Sequence, residues 1–335
     1  MSKQSLATKY RPTGWDAVVE QDAVKEILKT QVETETFQNA YLFCGPAGTG
    51  KTTCARIFAS EINRGQGSVI EVDAASNSGV DNIRKIIDDS KRRALDGEYK
   101  IYLLDEVHML STGAWNALLK LLEEPPKYTI FLMCTTDPQK IPATIMSRIQ
   151  RFQLSKISTQ SIYDRLCYIC QQEEIQEDES SLEFIAKIAQ GGMRDAITNL
   201  DKCVSSGNAL TLENVVKALG NVEYETQLEL FDCLYNNDVE KCVEIVETLF
   251  NSGKSLKLFI QQFQSFLVDI CKYLIFNSFK YSQIPALPIY QEQISKYDKK
   301  RAVEILDLIK DLNYALKWET DVRYAVETAL LTMGN

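Results

Sequence analysis

The first half of the chain alternates short apolar runs with stretches of helical spacing. The apolar runs, which predict buried strands, cover residues 40–44, 69–72, 99–104, 129–134 and 152–154. The helical stretches, which contain no proline, cover residues 53–62, 80–95 and 115–123. Strands that alternate with helices predict an α/β domain with a largely parallel sheet.

The second half of the chain has a different pattern. Strand signals nearly vanish after residue 156, so we expect a domain boundary there. Residues 160–217 contain three helical patterns, and residues 222–333 contain several longer ones that are interrupted at 252–253 and 282–288. We therefore predict three domains, one α/β and two helical, at residues 1–156, 157–219 and 220–335.

A glycine-rich segment follows the first predicted strand and precedes a predicted helix. It matches the phosphate-binding pattern G-x-x-x-x-G-K-[ST] at every fixed position. The glycines let backbone N–H groups close around an anion, and the positive dipole end of the next helix points to the same place. A glycine-rich turn without function is the alternative, and the strand–loop–helix context argues against it. We predict an ATP site at Gly45, Pro46, Ala47, Gly48, Thr49, Gly50, Lys51, Thr52 and Thr53, with Lys51 on the β- and γ-phosphates and Thr52 on Mg²⁺.

Two acids, Asp105 and Glu106, end the strand predicted at residues 99–104. Because a parallel sheet brings the carboxyl ends of its strands to one edge, we expect both acids beside the phosphate loop. Asp105 is then a candidate Mg²⁺ ligand, and Glu106 is a candidate base for the attacking water. Residues 105–108 also resemble the D-E-x-H box of helicases, which keeps a nucleic-acid motor as a rival hypothesis.

Further residues have positions that suit ATP hydrolysis. Thr135 and Thr136 lie at the end of the next predicted strand, where one threonine hydroxyl can reach the γ-phosphate or the attacking water; an ordinary strand-to-turn transition is the alternative. Arg148 precedes the last predicted strand and is expected to face outward, towards the nucleotide of a neighbouring subunit. Arg194 opens a predicted helix and is placed to fold back over the phosphates. Either arginine alone would be interpreted as a solvated surface residue.

Composition and charge limit the classes of protein to which this chain can belong. The formal net charge of −9 argues against a broadly basic surface but permits a local basic patch. The sequence shows no secretory signal and no uncharged apolar run of membrane-spanning length, so we expect a soluble, cytoplasmic protein with no membrane partner. Nine cysteines then suggest reduced thiols. Cys167 and Cys170 form a single C-x-x-C without a second pair, so we expect no zinc.

Together these motifs resemble the AAA+ ATPases of sliding-clamp loaders, most closely the bacterial γ/τ subunits. The resemblance spans the whole chain, and its anchors are Lys9-Tyr-Arg-Pro12, Val18-Val-Glu-Gln21, Gly45 to Thr53, Asp73-Ala-Ala-Ser76, Asp105-Glu-Val-His-Met-Leu-Ser111, Asn116-Ala-Leu-Leu-Lys120, Leu122-Glu-Glu-Pro-Pro126, Thr135-Thr-Asp-Pro-Gln-Lys140, Ser147-Arg148 and Gly192-Met-Arg-Asp195. It implies an α/β AAA+ core with a parallel five-stranded sheet and flanking helices, then an all-α lid of three helices and an all-α collar.

The resemblance also implies a function and partners. The protein would be an ATP-hydrolysing motor subunit that works with other clamp-loader subunits in a pentameric spiral. That assembly opens a sliding clamp and places it on primer–template DNA during replication. Carried over by position, Thr136 is the sensor beside the γ-phosphate, Arg148 is the finger that enters the adjacent subunit's site, and Arg194 is the lid sensor. The adenine pocket would be lined by Tyr10, Arg11, Val18 and Val19.

DNA would be held by its phosphates, so no sequence specificity is expected. Ser111 and Thr112 open the helix after the acidic pair and are candidate phosphate ligands. A basic group before the third strand is a second candidate, and a solvated helix end explains that group equally well. The group consists of Arg84, Lys91, Arg92 and Arg93.

The chain departs from the family pattern at several places. The family usually carries a four-cysteine zinc module where this chain has only Asn-Arg-Gly-Gln-Gly-Ser at residues 63–68. Glu20 replaces a glycine, which is expected to alter the backbone at the adenine pocket, and Ile149 replaces a cysteine after the finger arginine. The sequence ends at Asn335, so we expect no long extension that ties the loader to polymerase and helicase. A bacterial protein, a phage protein and a shortened version would all fit.

Two rivals to the clamp-loader hypothesis can be weighed on the sequence. A helicase needs a second RecA-like domain, for which the helical second half leaves no room. A catalytically silent scaffold subunit usually loses the loop lysine or the acidic pair, whereas this chain keeps Lys51, Thr52, Asp105 and Glu106. The sequence leaves open whether the assembly contains identical or different chains, and which surface touches the clamp.

Overall fold

A computed structural model describes residues 4–94, 96–207, 209–219 and 221–333, and the side chains of residues 221–223 and 333 are not described. Leu95, the last residue of the helix predicted at 80–95, lies outside the described residues. The chain divides into two compact units. The first comprises the residues up to Glu174 together with Ile185–Asp201, and the second comprises Ile175–Phe184 and the residues from Lys202 onward.

The first unit contains one five-stranded parallel sheet. Its strands are β1 (Ala40–Cys44), β2 (Ile70–Asp73), β3 (Lys100–Asp105), β4 (Thr129–Thr135) and β5 (Gln150–Gln153). They lie in the order β2-β3-β4-β1-β5, so the chain crosses over the sheet between successive strands. The predicted five-stranded parallel sheet is therefore confirmed.

Helices cover both faces of the sheet. In chain order, the α-helices up to residue 205 are α1 (Leu6–Lys9), α2 (Asp22–Glu33), α3 (Lys51–Ile62), α4 (Val80–Ser90), α5 (Thr112–Glu123), α6 (Ala143–Met146), α7 (Thr159–Gln172), α8 (Glu179–Ile188) and α9 (Met193–Ser205). Tyr41 and Phe43 of β1 pack with α2 and α3, whereas Leu42 and Cys44 pack with α5. Because alternate residues of a strand point to opposite faces, a strand covered on both sides is a continuous apolar run, as β1 is.

Helix α4 is shorter than its sequence pattern. The helix predicted at residues 80–95 ends at Ser90, so the prediction is wrong for residues 91–94. Ser90 is buried, its Oγ donates to the carbonyl of Ile87 at 2.7 Å, and its own carbonyl accepts the Thr129 hydroxyl at 2.9 Å. The first residue of β4 therefore takes a carbonyl that the helix would have used.

The second unit is helical among its described residues, as predicted. Its further helices are α10 (Leu212–Leu219), α11 (Asn221–Tyr235), α12 (Val239–Asn251), α13 (Leu256–Phe276), α14 (Pro288–Ile294), α15 (Lys299–Ala315) and α16 (Val322–Met333). Phe259, Phe263 and Ile270 of α13 are buried at the centre of the bundle. The predicted interruption at residues 252–253 falls between α12 and α13, and that at 282–288 precedes α14 except for Pro288, which is the first residue of that helix. The division into three domains stays a prediction.

The described ranges contain neither a membrane-spanning helix nor a cluster of side chains suited to a metal ion. Within residues 4–94, 96–207, 209–219 and 221–333, no helix has the length and apolar composition that crossing a membrane requires. In the same part of the chain, no three His, Cys, Asp or Glu side chains gather in an arrangement suited to a metal ion. All nine cysteines are free thiols; Cys167 and Cys170 both lie on α7.

Candidate nucleotide-binding site

The glycine-rich loop links β1 to α3, as the sequence predicts. Gly48 has φ +72°, a left-handed conformation that favours glycine. Gly45 faces a tight neighbour, since a Cβ built there would lie 2.5 Å from the carbonyl oxygen of Leu154. Leu154 N in turn donates to Cys44 O at 2.7 Å, so the chain after β5 fixes the start of the loop.

Lys51 is the first residue of α3, and its ammonium group lies inside the loop. The residue is 6% exposed, and Nζ donates to the carbonyls of Gly45 at 3.0 Å and Pro46 at 2.8 Å. Burial lowers the pKa of Lys51, and the nearby carboxylates of Glu106 and Asp105 act in the opposite direction. The loop therefore holds a cation close to the positive end of a helix dipole, which is an arrangement suited to an anion.

Thr52 and Asp105 meet at the carboxyl end of β3. Thr52 Oγ1 donates to Asp105 Oδ2 at 3.0 Å, and Glu106 N donates to Asp105 Oδ1 at 3.0 Å. Hydroxyl and carboxylate oxygens are ligands that Mg²⁺ prefers, and adjacent ligands in an octahedron with bonds of about 2.1 Å are about 3.0 Å apart. The pair therefore fits a magnesium ion in both chemistry and spacing.

Glu106 lies directly after β3 in a left-handed backbone conformation, with φ +49°. One of its carboxylate oxygens, Oε2, accepts from Thr136 N at 3.3 Å and from Thr136 Oγ1 at 3.1 Å. His108 Nδ1 lies 3.2 Å from the same oxygen. The structure thus brings together Glu106 and Thr136, which the sequence singled out, and adds His108, to which the sequence assigned no such contact.

A cavity of about 290 Å³ opens beside these groups. Most of the predicted site lines it: Tyr10, Arg11, Val18, Val19, Ala47, Gly48, Thr49, Gly50, Lys51, Thr52, Thr53, Asp105, Glu106 and Arg194. The sequence did not predict several other residues that line the cavity, among them Ile157, Arg165 and Met193. Helical spacing predicted Arg165 as part of a helix, but no pattern indicated what that helix faces.

Positive charge concentrates in this cavity. Burial lowers the pKa of Arg11, and the neighbouring guanidinium groups of Arg56 and Arg194 lower it further. Arg165 Nη2 donates to the carbonyl of Tyr10 at 3.2 Å, and its guanidinium lies 4.9 Å from the centre of the Tyr168 ring. Arginines that lie close together repel one another, which raises the energy of the free protein. A bound polyanion offsets this repulsion, so the cavity favours a polyphosphate.

Tyr10, which the sequence predicts in an adenine pocket, and Glu20 are both held by contacts within the first unit. The hydroxyl of Tyr10 donates to Glu173, and burial raises the pKa of Tyr10. Glu20, which replaces the family's glycine, keeps a left-handed backbone with φ +55°. Its Oε1 accepts from Ser158 N at 3.0 Å, at the residue that caps α7. The departure therefore adds a side-chain bond to α7 while the backbone keeps a conformation that glycine would adopt freely.

Arg194, on α9, reaches the phosphate loop through its backbone as well. Arg194 N lies 3.5 Å from the carbonyl oxygen of Gly48, and a Cβ at Gly48 would lie 2.9 Å from Gly192 Cα. The N-terminus of α9 therefore lies against the loop, which places two helix N-termini, those of α3 and α9, at one cavity.

Arg148 does not line the cavity. Its Nη2 forms an ion pair with Glu123 Oε1 at 2.8 Å, and its Nη1 donates to the carbonyl of Thr144 at 2.6 Å. About a third of the side chain, 35%, remains exposed. Ile149, which replaces the family's cysteine, packs partly buried against the α5 face of the sheet.

The candidate DNA-binding residues lie on the surface of the first unit. Ser111 caps α5 by accepting from Ala114 N at 3.2 Å, and Thr112 is exposed at its first position. Because α4 ends at Ser90, Arg84 and the other basic residues do not share one helix face. Three of the four have partners: Arg84 pairs with Asp81 at 3.3 Å, Lys91 pairs with Asp88 at 2.9 Å, and Arg93 lies 4.8 Å from the Tyr128 ring centre. Arg92 is exposed, and DNA binding by the group stays a prediction.

The strand order, the loop after β1 and the acidic pair at the carboxyl end of β3 define a P-loop protein with the AAA+ fold. Solved structures of RuvB from Thermotoga maritima share this fold. One of them, described as a Holliday junction branch migration motor, matches at 19% identity with a TM-score of 0.53, over 67% of this chain and 79% of that chain. Likeness at this identity shows the fold alone.

Sequence comparisons define the family. A family model described as DNA polymerase III, delta subunit, matches residues 67–158, and one described as DNA polymerase III clamp loader subunit, ATPase lid domain, matches residues 161–209. DNA polymerase III subunit tau of Bacillus subtilis is 37% identical over 99% of this chain and 63% of that protein. DNA polymerase III subunit gamma of Buchnera aphidicola is 30% identical over 99% of this chain and 98% of that protein. The chain belongs to the family of DNA polymerase III tau and gamma subunits.

Relatives in this family differ in length. The chain spans about half the length of several curated relatives that it matches, between 40% and 63%.

Proposed function

We propose that this protein is an ATP-hydrolysing motor subunit of a DNA sliding-clamp loader, working in the cytoplasm. ATP binding would order the assembly that holds the clamp and DNA, and hydrolysis would release both. The observation that carries the proposal is the convergence on one cavity of Lys51, the Thr52–Asp105 pair and Glu106. Family membership supports the same function, because the matched lid model is described as part of a clamp loader subunit.

The residues divide the work of hydrolysis between them. Lys51 and the N-termini of α3 and α9 supply positive charge for the phosphates. Thr52 and Asp105 would hold Mg²⁺, whose chemistry is to neutralise charge on the phosphates. Glu106 is a carboxylate at the cavity wall that can take a proton from the attacking water. The proposed adenine pocket consists of Tyr10, Arg11, Val18 and Val19.

Two roles depend on groups that act after ATP has bound. Thr136 is the proposed sensor of the γ-phosphate, which its contact with Glu106 supports, since a change at the phosphate would reach the base through one hydroxyl. Arg194 is the proposed lid sensor, which its place in the cavity supports. We propose a lid at residues 157–219 and a collar at residues 220–335 that joins subunits.

The partners follow from the same proposal. They are the other subunits of a pentameric spiral, a sliding clamp, and primer–template DNA bound through its phosphates. Arg148 would serve a neighbouring subunit's ATP, which its position outside its own chain's cavity supports. Ser111 and Thr112 at the start of α5 are the proposed DNA contacts, because an exposed helix N-terminus suits a phosphate.

A hydrolysis assay with defined DNA tests this function. The protein, assembled with its partner subunits, is given ATP with primed DNA and clamp, with primed DNA alone, or with single-stranded DNA alone. The proposal expects the highest rate with primed DNA and clamp, and a stimulation that falls steeply with salt because phosphate contacts release counterions. Equal stimulation by single-stranded DNA without clamp, together with strand displacement, would contradict it and favour a helicase.

A further inference from the structure

His108 is held in a defined place between the base and the end of β4. It belongs to a one-turn helix, Val107–Met109, whose first residue is fully buried. Its side chain is 12% exposed, and its Nδ1 lies 3.2 Å from Glu106 Oε2 and 3.1 Å from Thr135 Oγ1. Thr135 is itself fully buried, and its Oγ1 accepts from Asp137 N at 3.0 Å.

The hydrogen bonds around Glu106 are unequal. Two donors, Thr136 N and Thr136 Oγ1, converge on Oε2, and His108 Nδ1 lies 3.2 Å from the same oxygen. An ionised carboxylate only accepts hydrogen bonds, so the contact is attractive in the tautomer that carries the hydrogen on Nδ1, where Glu106 Oε2 and Thr135 Oγ1 share that hydrogen. Within the described part of the chain, no protein group donates to Oε1 of Glu106. One oxygen is therefore anchored, and the other is left for a water molecule.

We infer that His108 is a positioning residue for the proposed hydrolysis, which orients the Glu106 carboxylate through Nδ1 and is itself oriented by Thr135 Oγ1, an acceptor for the same nitrogen. The inference rests on the proposed function, in which Glu106 is the base. A base must lie within hydrogen-bond reach of the proton that it takes, and a misplacement of about 1 Å can lower a rate by about 100-fold. The Glu106 side chain is partly exposed and both bonds from Thr136 end on Oε2, so the contact with His108 adds a further point of support on that oxygen.

The chemistry of histidine supplies a matched pair of variants. The nitrogen of asparagine is bonded to Cγ, as Nδ1 of histidine is, whereas the nitrogen of glutamine lies one bond further out. His108→Asn therefore keeps a donor near the Nδ1 position, and His108→Gln moves it towards the Nε2 position. His108→Ala removes both.

The experiment measures single-turnover hydrolysis of ATP and the affinity for a non-hydrolysable ATP analogue, at one pH, for the assembled protein with each variant. We expect H108A and H108Q to hydrolyse at least about tenfold more slowly with analogue affinity within about twofold of the wild type. H108N is expected to recover most of the lost rate. Thr135→Val, which removes the orienting hydroxyl, should resemble H108A, whereas Thr135→Ser should resemble the wild type.

The possible failures can be told apart. Equal rates for H108A, H108Q and H108N, in a protein whose wild type hydrolyses ATP, would overturn the role of His108 alone. A faster H108A would also overturn it, since the histidine would then restrain the base rather than position it. No hydrolysis by the assembled wild type would instead contradict the proposed function. If H108A fails to fold by circular dichroism, the ratio of the H108N and H108Q rates still decides the question.

Discussion

Gly48 of the phosphate loop lies against Gly192, the residue before α9. A Cβ on Gly48 would lie 2.9 Å from Gly192 Cα, and the Asp195 carboxylate would lie 3.2 Å from the same Cβ. Contact at that distance is with backbone, which cannot rotate away as a side chain can. Two glycines far apart in sequence therefore let the loop and α9 meet at the nucleotide site.

This contact makes Gly48→Ala a specific prediction. The change should weaken binding of ATP or its analogues by at least about tenfold. Alanine in a left-handed backbone conformation is strained by about 1 kcal/mol, and its Cβ also forces the loop and α9 apart. Gly253→Ala is the control, since Gly253 has a similar φ of +75° but nothing within 4 Å of its Cβ. Equal loss of ATP affinity in both variants, measured by nucleotide fluorescence, would show that the contact with Gly192 is irrelevant.

The Thr52–Asp105 pair predicts a change in magnesium dependence. Thr52→Ala removes one of two oxygens that lie 3.0 Å apart, so the Mg²⁺ concentration for half-maximal hydrolysis should rise about tenfold or more, as it does when groups supporting a metal site are lost. Thr52→Ser keeps the oxygen and should stay close to the wild type. A magnesium titration that is the same for T52A and T52S would argue that the hydroxyl does not hold the ion.

Arg148 is predicted to act on a neighbouring subunit. Arg148→Ala should keep ATP binding and lose stimulated hydrolysis by about 1000-fold, the contribution of an arginine finger. Glu123→Gln removes the ion-pair partner but keeps the arginine, so it should hydrolyse at least as fast as the wild type. If E123Q loses as much activity as R148A, the arginine serves its own chain through the pair, and the assignment to a neighbour is wrong.

Glu20 gives a prediction about stability. Glu20→Ala loses the bond to Ser158 and keeps the left-handed strain, so it should lower the free energy of unfolding by about 1 kcal/mol. Glu20→Gly loses the same bond but removes strain of about 1 kcal/mol, so its thermal midpoint should lie above that of E20A. A scanning thermal melt checks the order, and E20G melting below E20A would mean that strain at this position is unimportant.

The sequence predicted the parts of the site that are fixed by local pattern. The phosphate loop and the acidic pair each occupy consecutive residues at the end of a strand, so Lys51, Thr52, Asp105 and Glu106 could be placed together from the shared carboxyl edge of a parallel sheet. The contact of Gly48 with Gly192 joins segments that periodicity treats separately. The end of α4 was missed because Lys91 and Arg92 are good helix formers, and the competing bond comes from Thr129 on another strand.

The sequence also could not predict which charged side chains contact one another. Arg148 was expected to face outward, and the structure shows that Glu123, 25 residues earlier, binds its guanidinium. His108 was identified only as part of a D-E-x-H resemblance. Its contact with Glu106 depends on the turn after β3 and on a threonine at the end of β4, which no local pattern combines.

Glu106 is the proposed base for ATP hydrolysis at this cavity, and Glu106→Gln is the decisive variant. Glutamine keeps the size of the side chain and removes the basic carboxylate, so E106Q should bind ATP with near wild-type affinity and hydrolyse it at least about 100-fold more slowly. Lys51→Ala is the comparison, and it should lose ATP binding as well. The measurement is single-turnover hydrolysis of labelled ATP by the assembled protein with clamp and primed DNA. A hydrolysis rate for E106Q within a few-fold of the wild-type rate would show that Glu106 is not the base.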